Sequence, residues 1–272
     1  MSRIPIPSPV SGGLLLSYKC SAACRHCMYL CSPQWPGDWI SDEDLGKGLA
    51  QLAGRIVPSP WGPETVSLNH GLHFSGGEPF LNFDRLLRGV VGAEAHEIPS
   101  TFVETNCFWC AQDETTREKL TALRDAGLRG IMISVNPFFA EFVPFERTER
   151  CVPISNEVFG SNVFVYQAEY WRQFREMGIR GRLPLDEYVA RTGDTHFARR
   201  TEMFLMGRAA FARWGRTSPR PTQIASSASP RGPVLGEPTF SPTVASPLLR
   251  PLSHYATASV HQPRLDVPSM VC

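Results

Sequence analysis

The chain has 272 residues, a formal net charge of +1 and 42% hydrophobic residues. This length suits one sizeable domain, alone or with an appendage. The near-neutral charge disfavours a nucleic-acid or acidic-membrane partner. No apolar run approaches the roughly 20 residues that span a bilayer, and the N-terminal segment lacks the apolar stretch of a signal peptide. We therefore expect a cytoplasmic protein with neither nucleic acid nor membrane as a partner.

Strands and helices alternate along the first half of the sequence. Short apolar runs predict strands at 13–18, 71–74, 101–106 and 131–135. Ser41 has the pattern of a helix N-cap, and leucines at helical spacing follow it. Further helices are predicted around 86–91 and 120–123, the latter ending near Gly127. Alternation of this kind is typical of an α/β fold with a parallel sheet.

The second half of the sequence is harder to interpret. Residues 163–166 predict a fifth strand, and helices are predicted around Tyr170 and over 196–214, but no sixth strand is evident. Ten of the 24 prolines lie beyond Gly215, among Ser, Thr, Ala and Arg without apolar periodicity. We therefore divide the chain into an N-terminal extension (1–11), a core (12–214) and a tail (215–272) that we expect to be disordered. An out-of-frame reading of GC-rich DNA would also produce such a tail.

Eight cysteines provide the strongest functional signal. Because thiols stay reduced in a cytosol, clustered cysteines there indicate metal binding or catalysis rather than disulfides. Cys20, Cys24 and Cys27 follow the first strand as Cys-x3-Cys-x2-Cys. Three thiolates leave one iron of a cubane cluster without a protein ligand, whereas ferredoxin clusters usually have four cysteines. This pattern favours a catalytic cluster.

Polar groups follow the other predicted strands, at the edge of a parallel sheet where ligands bind. Gly76, Gly77 and Glu78 follow the second strand. Glu104 and Asn106 belong to the third, and Ser134 and Asn136 end the fourth. We expect these groups to converge with the cysteines on one site.

The segment Cys20-Ser-Ala-Ala-Cys-Arg-His-Cys27 resembles the signature loop of the radical S-adenosylmethionine (SAM) superfamily, with His26 at the usual aromatic position. Ser75-Gly-Gly-Glu-Pro79 is similar to the Gly-Gly-Glu motif of that family. Glu104-Thr-Asn106 resembles the Thr-Asn-Gly element of peptide-modifying members, with Cys107 in place of glycine. Ser134-Val-Asn136 resembles a Ser-x-Asp element, with asparagine for aspartate.

The resemblance implies a partial parallel (β/α)6-type barrel, with a [4Fe–4S] cluster on Cys20, Cys24 and Cys27. It implies that SAM binds the open iron and is cleaved reductively, and that the resulting 5′-deoxyadenosyl radical abstracts hydrogen from a substrate. SAM contacts are expected at Gly76, Gly77, Glu78, Glu104, Asn106 and Ser134. It further implies an electron donor such as flavodoxin or ferredoxin. The Thr-Asn and Ser-x-Asn elements favour a peptide or protein substrate, while glycyl-radical activation and small-molecule reactions stay open.

Two other interpretations are compatible with the sequence. One is an iron–sulfur or zinc module without SAM turnover, in which His26 or Cys31 supplies a fourth ligand; the other is a family member that has lost its chemistry. Cys107 and Cys110 form a separate Cys-x2-Cys pair, which we interpret as two unpaired thiols, a redox dithiol or half of a second metal site. His70 and His73 are interpreted as structural.

Overall fold

The computed structural model describes residues 9–201, 203–204, 206–211 and 256–257. Its centre is a fully parallel sheet with the strand order β5-β4-β3-β2-β1-β6. The strands are β1 (Ser11–Leu15), β2 (Gly71–Ser75), β3 (Phe102–Thr105), β4 (Gly130–Ser134), β5 (Val163–Tyr166) and β6 (Ala256–Thr257). The predicted α/β class is confirmed, and the sheet is open rather than closed, as expected for a partial barrel.

Helices connect successive strands. They are α1 (Asp42–Leu52), α2 (Phe83–Ala95), α3 (Asp113–Asp125), α4 (Pro137–Ala140), α5 (Phe145–Phe159), α6 (Ala168–Glu176), α7 (Leu185–Thr192), α8 (Phe197–Arg200) and α9 (Gly207–Phe211), with a 3₁₀ turn at Pro79–Asn82. Ser41 caps α1 as predicted, because its hydroxyl accepts from the Asp44 N–H. Residues in the described part of the chain form no helix long and apolar enough to cross a membrane.

The two faces of the sheet differ in what covers them. Leu72, Phe74 and Val103 alternate onto one face and pack in a large apolar core with α1, α2, α3 and α5. The opposite face, called here the inner face, carries Phe102 and Met132 in a smaller cluster. The helices therefore stabilise one side of the sheet, and the inner face is left for other contacts.

Several sequence predictions differ from the structure. The single helix expected over 196–214 is wrong, because α8 ends at Arg200 and α9 begins only at Gly207; residues 212–214 lie outside the described residues. Helix α5 was not predicted, since Pro153 inside it breaks the expected pattern.

The predicted tail, 215–272, lies outside the described residues except at Ala256–Thr257. These two residues pair with Gly12–Gly13 of β1, where the sequence indicated no sixth strand. A pair this short has no apolar periodicity to detect. The predicted N-terminal extension likewise lies outside the described residues over 1–8, and β1 begins inside it at Ser11.

Adjacent valines on α2 test the position of the core. Val90 is 1% exposed and Val91 is 52% exposed. We expect Val90→Ala to lower the free energy of unfolding by about 2 kcal/mol, because two buried methyl groups are lost and a cavity is left. Val91→Ala should change it by less than about 0.5 kcal/mol. Denaturant titrations of both variants check this, and equal effects would contradict the assignment of the core face.

Candidate functional site

The chain after β1 forms the cysteine loop, defined as residues 19–32. Its ends are held together, because the Cys20 N–H donates to the Ser32 carbonyl at 3.1 Å and the Ser32 N–H donates to the Tyr18 carbonyl at 3.3 Å. The Lys19 ammonium donates to the Pro33 carbonyl at 2.7 Å. The loop is thus a closed unit whose two ends are fixed to each other.

Cys20, Cys24 and Cys27 are free thiols in this loop, the first two buried and the third half-buried. A hydrogen bond from the Cys31 thiol lowers the pKa of Cys27 to about 6, whereas burial raises the pKa of Cys20 to about 12. Among the described residues, these three sulfur atoms do not all lie within 4.8 Å of one another. Tetrahedral zinc, with Zn–S near 2.3 Å, would place its sulfurs about 3.8 Å apart.

The Gly-Gly-Glu segment after β2 packs directly on the start of the cysteine loop. The Gly77 N–H donates to the Ser17 carbonyl at 2.8 Å, and the Glu78 N–H donates to the Lys19 carbonyl at 3.0 Å. A Cβ at Gly77 would lie 1.9 Å from the Lys19 carbonyl oxygen. Gly76 has φ +132°, a conformation that favours glycine. Both glycines are therefore required by backbone contact between the two motifs.

Glu78 joins the loops that follow β2 and β3. It is 1% exposed, and its carboxylate accepts from the Thr105 hydroxyl at 2.9 Å, the Asn106 N–H at 2.8 Å and the Phe80 N–H at 3.3 Å. Burial raises the pKa of Glu78 to about 7 against these stabilising hydrogen bonds. The side chain acts as a connection within the protein at this edge of the sheet.

Asn106 contacts the cysteine loop from the end of β3. Its amide nitrogen lies 3.1 Å from the Ser21 hydroxyl and 3.9 Å from Cys20 Sγ. Glu104 lies two residues earlier on the inner face, where it accepts from the Ser75 hydroxyl at 2.6 Å and lies 3.5 Å from the His73 imidazole. His73 thus belongs to a polar group on the inner face.

The end of β4 meets the cysteine loop through Asn136 and His26. Asn136 caps α4 by accepting from the Phe138 and Phe139 N–H groups, and its amide nitrogen lies 3.3 Å from His26 Nε2. Ser134 ends β4 beside Tyr166 of β5. No hydrogen bond among the described residues joins Ser134 to the cysteine loop.

His26 occupies the position before the third cysteine of the motif. Its ring stacks on Phe138 with centroids 4.7 Å apart and meets Phe139 edge-on at 4.9 Å. Burial lowers the pKa of His26 to about 4, so the ring is neutral near pH 7. Its Nδ1 is buried and has no hydrogen-bond partner within the protein. A buried polar atom without a partner indicates a place for a ligand or water.

Arg208 of α9 closes the cysteine loop, although it lies 184 positions after Cys24 in the sequence. Its backbone N–H donates to the Cys27 carbonyl at 2.9 Å. Its guanidinium donates to the carbonyls of Cys24 at 2.9 Å and Leu30 at 3.4 Å, and also to that of Cys31. Gly207 permits this contact, because a Cβ there would lie 2.4 Å from the Met28 carbonyl oxygen. No motif in the sequence points to Arg208, which is one arginine among many.

The structure brings most of the predicted site residues together. Hydrogen bonds connect the cysteine loop with the Gly-Gly-Glu segment, with Asn106 and with Arg208, and Asn136 meets the loop through His26. Glu104 and Ser134 lie at the same sheet edge without a hydrogen bond to the loop among the described residues. Arg208 and His73 are contributions that the sequence did not predict.

Comparisons with known proteins found similar structures only. No family model matches the sequence, and no curated protein matches it. One similar structure is described as native anSMEcpe with bound AdoMet, with 14% identity, a TM-score of 0.42 and coverage of 64% of this chain and 50% of that one. Another, described as native anSMEcpe with bound AdoMet and Cp18Cys peptide, has 14% identity, a TM-score of 0.42 and coverage of 64% and 49%. This chain spans about half the length of those structures.

Gly77 provides a test of the contact between the two motifs. We expect Gly77→Ala to prevent stable iron incorporation, because its Cβ would collide with the backbone at Lys19. Gly46→Ala, on α1 with no heavy atom within 4 Å of the added Cβ, is the matched control and should retain iron normally. Iron per chain after anaerobic reconstitution and gel filtration is the measurement. Normal iron in Gly77→Ala would show that the contact is dispensable.

Arg208 provides a second test at the opposite side of the loop. Arg208→Gln removes the guanidinium donors that bind three loop carbonyls, and it also removes the positive charge near the thiols. We therefore expect faster iron loss after reconstitution. Arg199→Gln, at an exposed position on α8, is the control. The rate of iron release to a chelator under anaerobic conditions distinguishes them. Equal rates in both variants would exclude a role for Arg208 in holding the loop.

Proposed function

We propose that this chain, whose motifs and fold resemble those of the radical SAM superfamily, is an enzyme that cleaves SAM reductively. The observation that carries the proposal is the direct backbone contact between the cysteine loop and the Gly-Gly-Glu segment. A zinc or electron-transfer module would need the cysteines but not this second segment. Cys20, Cys24 and Cys27 would hold a [4Fe–4S] cluster, which with SAM supplies a 5′-deoxyadenosyl radical for hydrogen abstraction.

The donor set fits a cubane cluster with one iron left open. Three free thiols lie on one closed loop, one fewer than the four cysteines that usually ligate a ferredoxin cluster. Cys31 is buried beside Cys27 and lowers its pKa by donating to it, which suits an outer partner rather than a ligand. Arg208 adds a positive charge that favours thiolates on the loop.

The other residues of the edge would bind and orient SAM. Gly76 and Gly77 would border its methionyl end, and Glu78 would keep that segment in place while contributing its carboxylate to the amino group. Asn106 would support Cys20 and contact SAM from β3, with Glu104 beside it. Ser134 at the end of β4 is assigned to the ribose side. The neutral imidazole of His26 faces the Asn136 amide N–H with Nε2, so its unpartnered Nδ1 carries the proton and would offer a donor to the bound cofactor.

The substrate that we propose is a peptide or protein. The electron for SAM cleavage would come from a donor such as flavodoxin or ferredoxin. Support comes from the Glu104-Thr-Asn106 element, whose relatives occur in peptide-modifying members of the family that the chain resembles. The inner face of the open sheet, with His73, Ser75 and Glu104, provides polar groups near the site. Substrate would approach from this face, because helices cover the other one.

Anaerobic reconstitution with iron and sulfide, followed by dithionite reduction and EPR with and without SAM, tests the proposal. We expect a reduced [4Fe–4S] signal that changes when SAM is added, and 5′-deoxyadenosine in the products by mass spectrometry. Cys20→Ala, Cys24→Ala and Cys27→Ala should each abolish both results. Cys31→Ala is the matched control and should retain the cluster and its response to SAM.

The possible outcomes separate the candidate functions. A cluster with no response to SAM would reject the enzyme and favour an electron carrier. Loss of the cluster in Cys31→Ala to the same degree as in Cys27→Ala would indicate a four-cysteine site, again contrary to the proposal. Stoichiometric zinc with no iron cluster would indicate the zinc module.

A further inference from the structure

A second group of cysteines lies away from the cysteine loop. Cys107, Cys110 and Cys151 are each 0% exposed, and their sulfur atoms all lie within 4.8 Å of one another. The sequence predicted only the Cys-x2-Cys pair, because Cys151 is 41 residues from Cys110 and has no motif of its own. The fold therefore turns a pair of thiols into a set of three.

The turn after β3 presents the first two sulfurs. Cys107 has φ +64°, a left-handed conformation that glycine adopts at lower cost. The Cys107 N–H donates to the Thr105 hydroxyl at 3.0 Å, and the Cys110 N–H donates to the Cys107 carbonyl at 3.1 Å. A cysteine held in a strained position with its sulfur beside two others indicates that the thiol itself is used.

Helix α5 supplies the third sulfur and is fixed to the same turn. Arg147, one helical turn before Cys151, donates to the Phe108 carbonyl. Arg150 donates to the Cys110 carbonyl at 2.8 Å. Because both arginines belong to the helix that carries Cys151, they fix that sulfur relative to the Cys107–Cys110 turn. The three sulfurs are thus positioned by interactions independent of any ligand.

We propose that Cys107, Cys110 and Cys151 bind one thiophilic divalent metal ion, for which Zn²⁺ is the reference. The sulfur spacing suits a single ion, since zinc ligands at 2.3 Å lie about 3.8 Å apart. Binding exchanges thiol protons for the ion, and the cation compensates thiolate charge that would otherwise be costly to bury. The Ser155 hydroxyl, 3.6 Å from Cys151 Sγ, would supply an oxygen for a fourth position. A disulfide, by contrast, would engage two sulfurs and leave the third buried without a role.

The metal would join β3 to α5 and fix the position of Asn106. That residue immediately precedes Cys107 and contacts the cysteine loop through Ser21 and Cys20. The three-cysteine metal site would therefore stabilise the cysteine loop through Asn106, without sharing a ligand with it. This inference does not depend on SAM cleavage, and its test uses zinc rather than iron or turnover.

The experiment uses the full chain with the four loop cysteines replaced by alanine, so that the loop itself cannot bind zinc. The protein is prepared under reducing conditions and loaded with Zn²⁺, and bound metal is measured by mass spectrometry after gel filtration. Co²⁺ loading gives an independent readout through its thiolate charge-transfer absorption. We expect about one zinc per chain and a cobalt spectrum with the intensity of three thiolates.

Variants in this background locate the ion. Cys107→Gly removes one sulfur at a position whose backbone suits glycine, and Cys151→Ser removes another with little change in volume. Each should weaken zinc binding by at least about tenfold. Val90→Ala is the control, since Val90 lies in the same apolar core but has no ligand atom. It should bind zinc normally.

Three results would overturn the inference. They are absence of zinc from the loop-substituted chain, equal zinc binding in Cys107→Gly, and a disulfide between two of the three thiols in freshly isolated protein. If both cysteine variants unfold, the cobalt spectrum of the folded parent decides the question: an intensity of three thiolates supports the inference, and a lower number overturns it. Failure of SAM cleavage would leave the zinc result unchanged, so the two proposals are tested separately.

Discussion

Two backbone hydrogen bonds determine how the edge of this sheet is built: those from Gly77 and Glu78 to the chain just before Cys20. They bring two loops so close that no side chain fits at Gly77. The cysteine loop therefore takes its position from β2 as well as from β1. Glu78 extends the connection to β3, because its buried carboxylate accepts from Thr105 and Asn106. The Gly-Gly-Glu segment therefore acts as a structural connection between β1, β2 and β3.

The sheet separates stability from chemistry by its two faces. Alternate residues such as Phe74 and Val103 enter the core beneath the helices, while Ser75 and Glu104 face the other way and form hydrogen bonds. A parallel strand buried on both faces usually reads as continuously apolar. Polar residues at alternate positions of β2 and β3 thus identify the inner face as a surface that does not serve packing alone.

The sequence predicted the elements with strong local signals. Strand β5 was placed at its observed residues, and the Ser41 cap and the loop positions after β1 and β2 agree with the structure. These features depend on patterns within a few residues. Arg208 and Cys151 could not be predicted, because their roles depend on contacts with residues far along the chain. The helix expected over 196–214 failed for a related reason: Gly207 is set by its approach to the Met28 carbonyl rather than by local propensity.

The contact of Arg208 with Cys24 also has a consequence for biosynthesis. The two residues are separated by 184 positions, so the cysteine loop emerges from the ribosome long before the arginine that closes it. At about 5–20 residues per second, that interval lasts roughly 10–40 s. During this time the loop carbonyls lack the donors that Arg208 later supplies. If the loop holds the proposed cluster, iron and sulfide could be delivered during this stage, before Arg208 forms its hydrogen bonds with the loop.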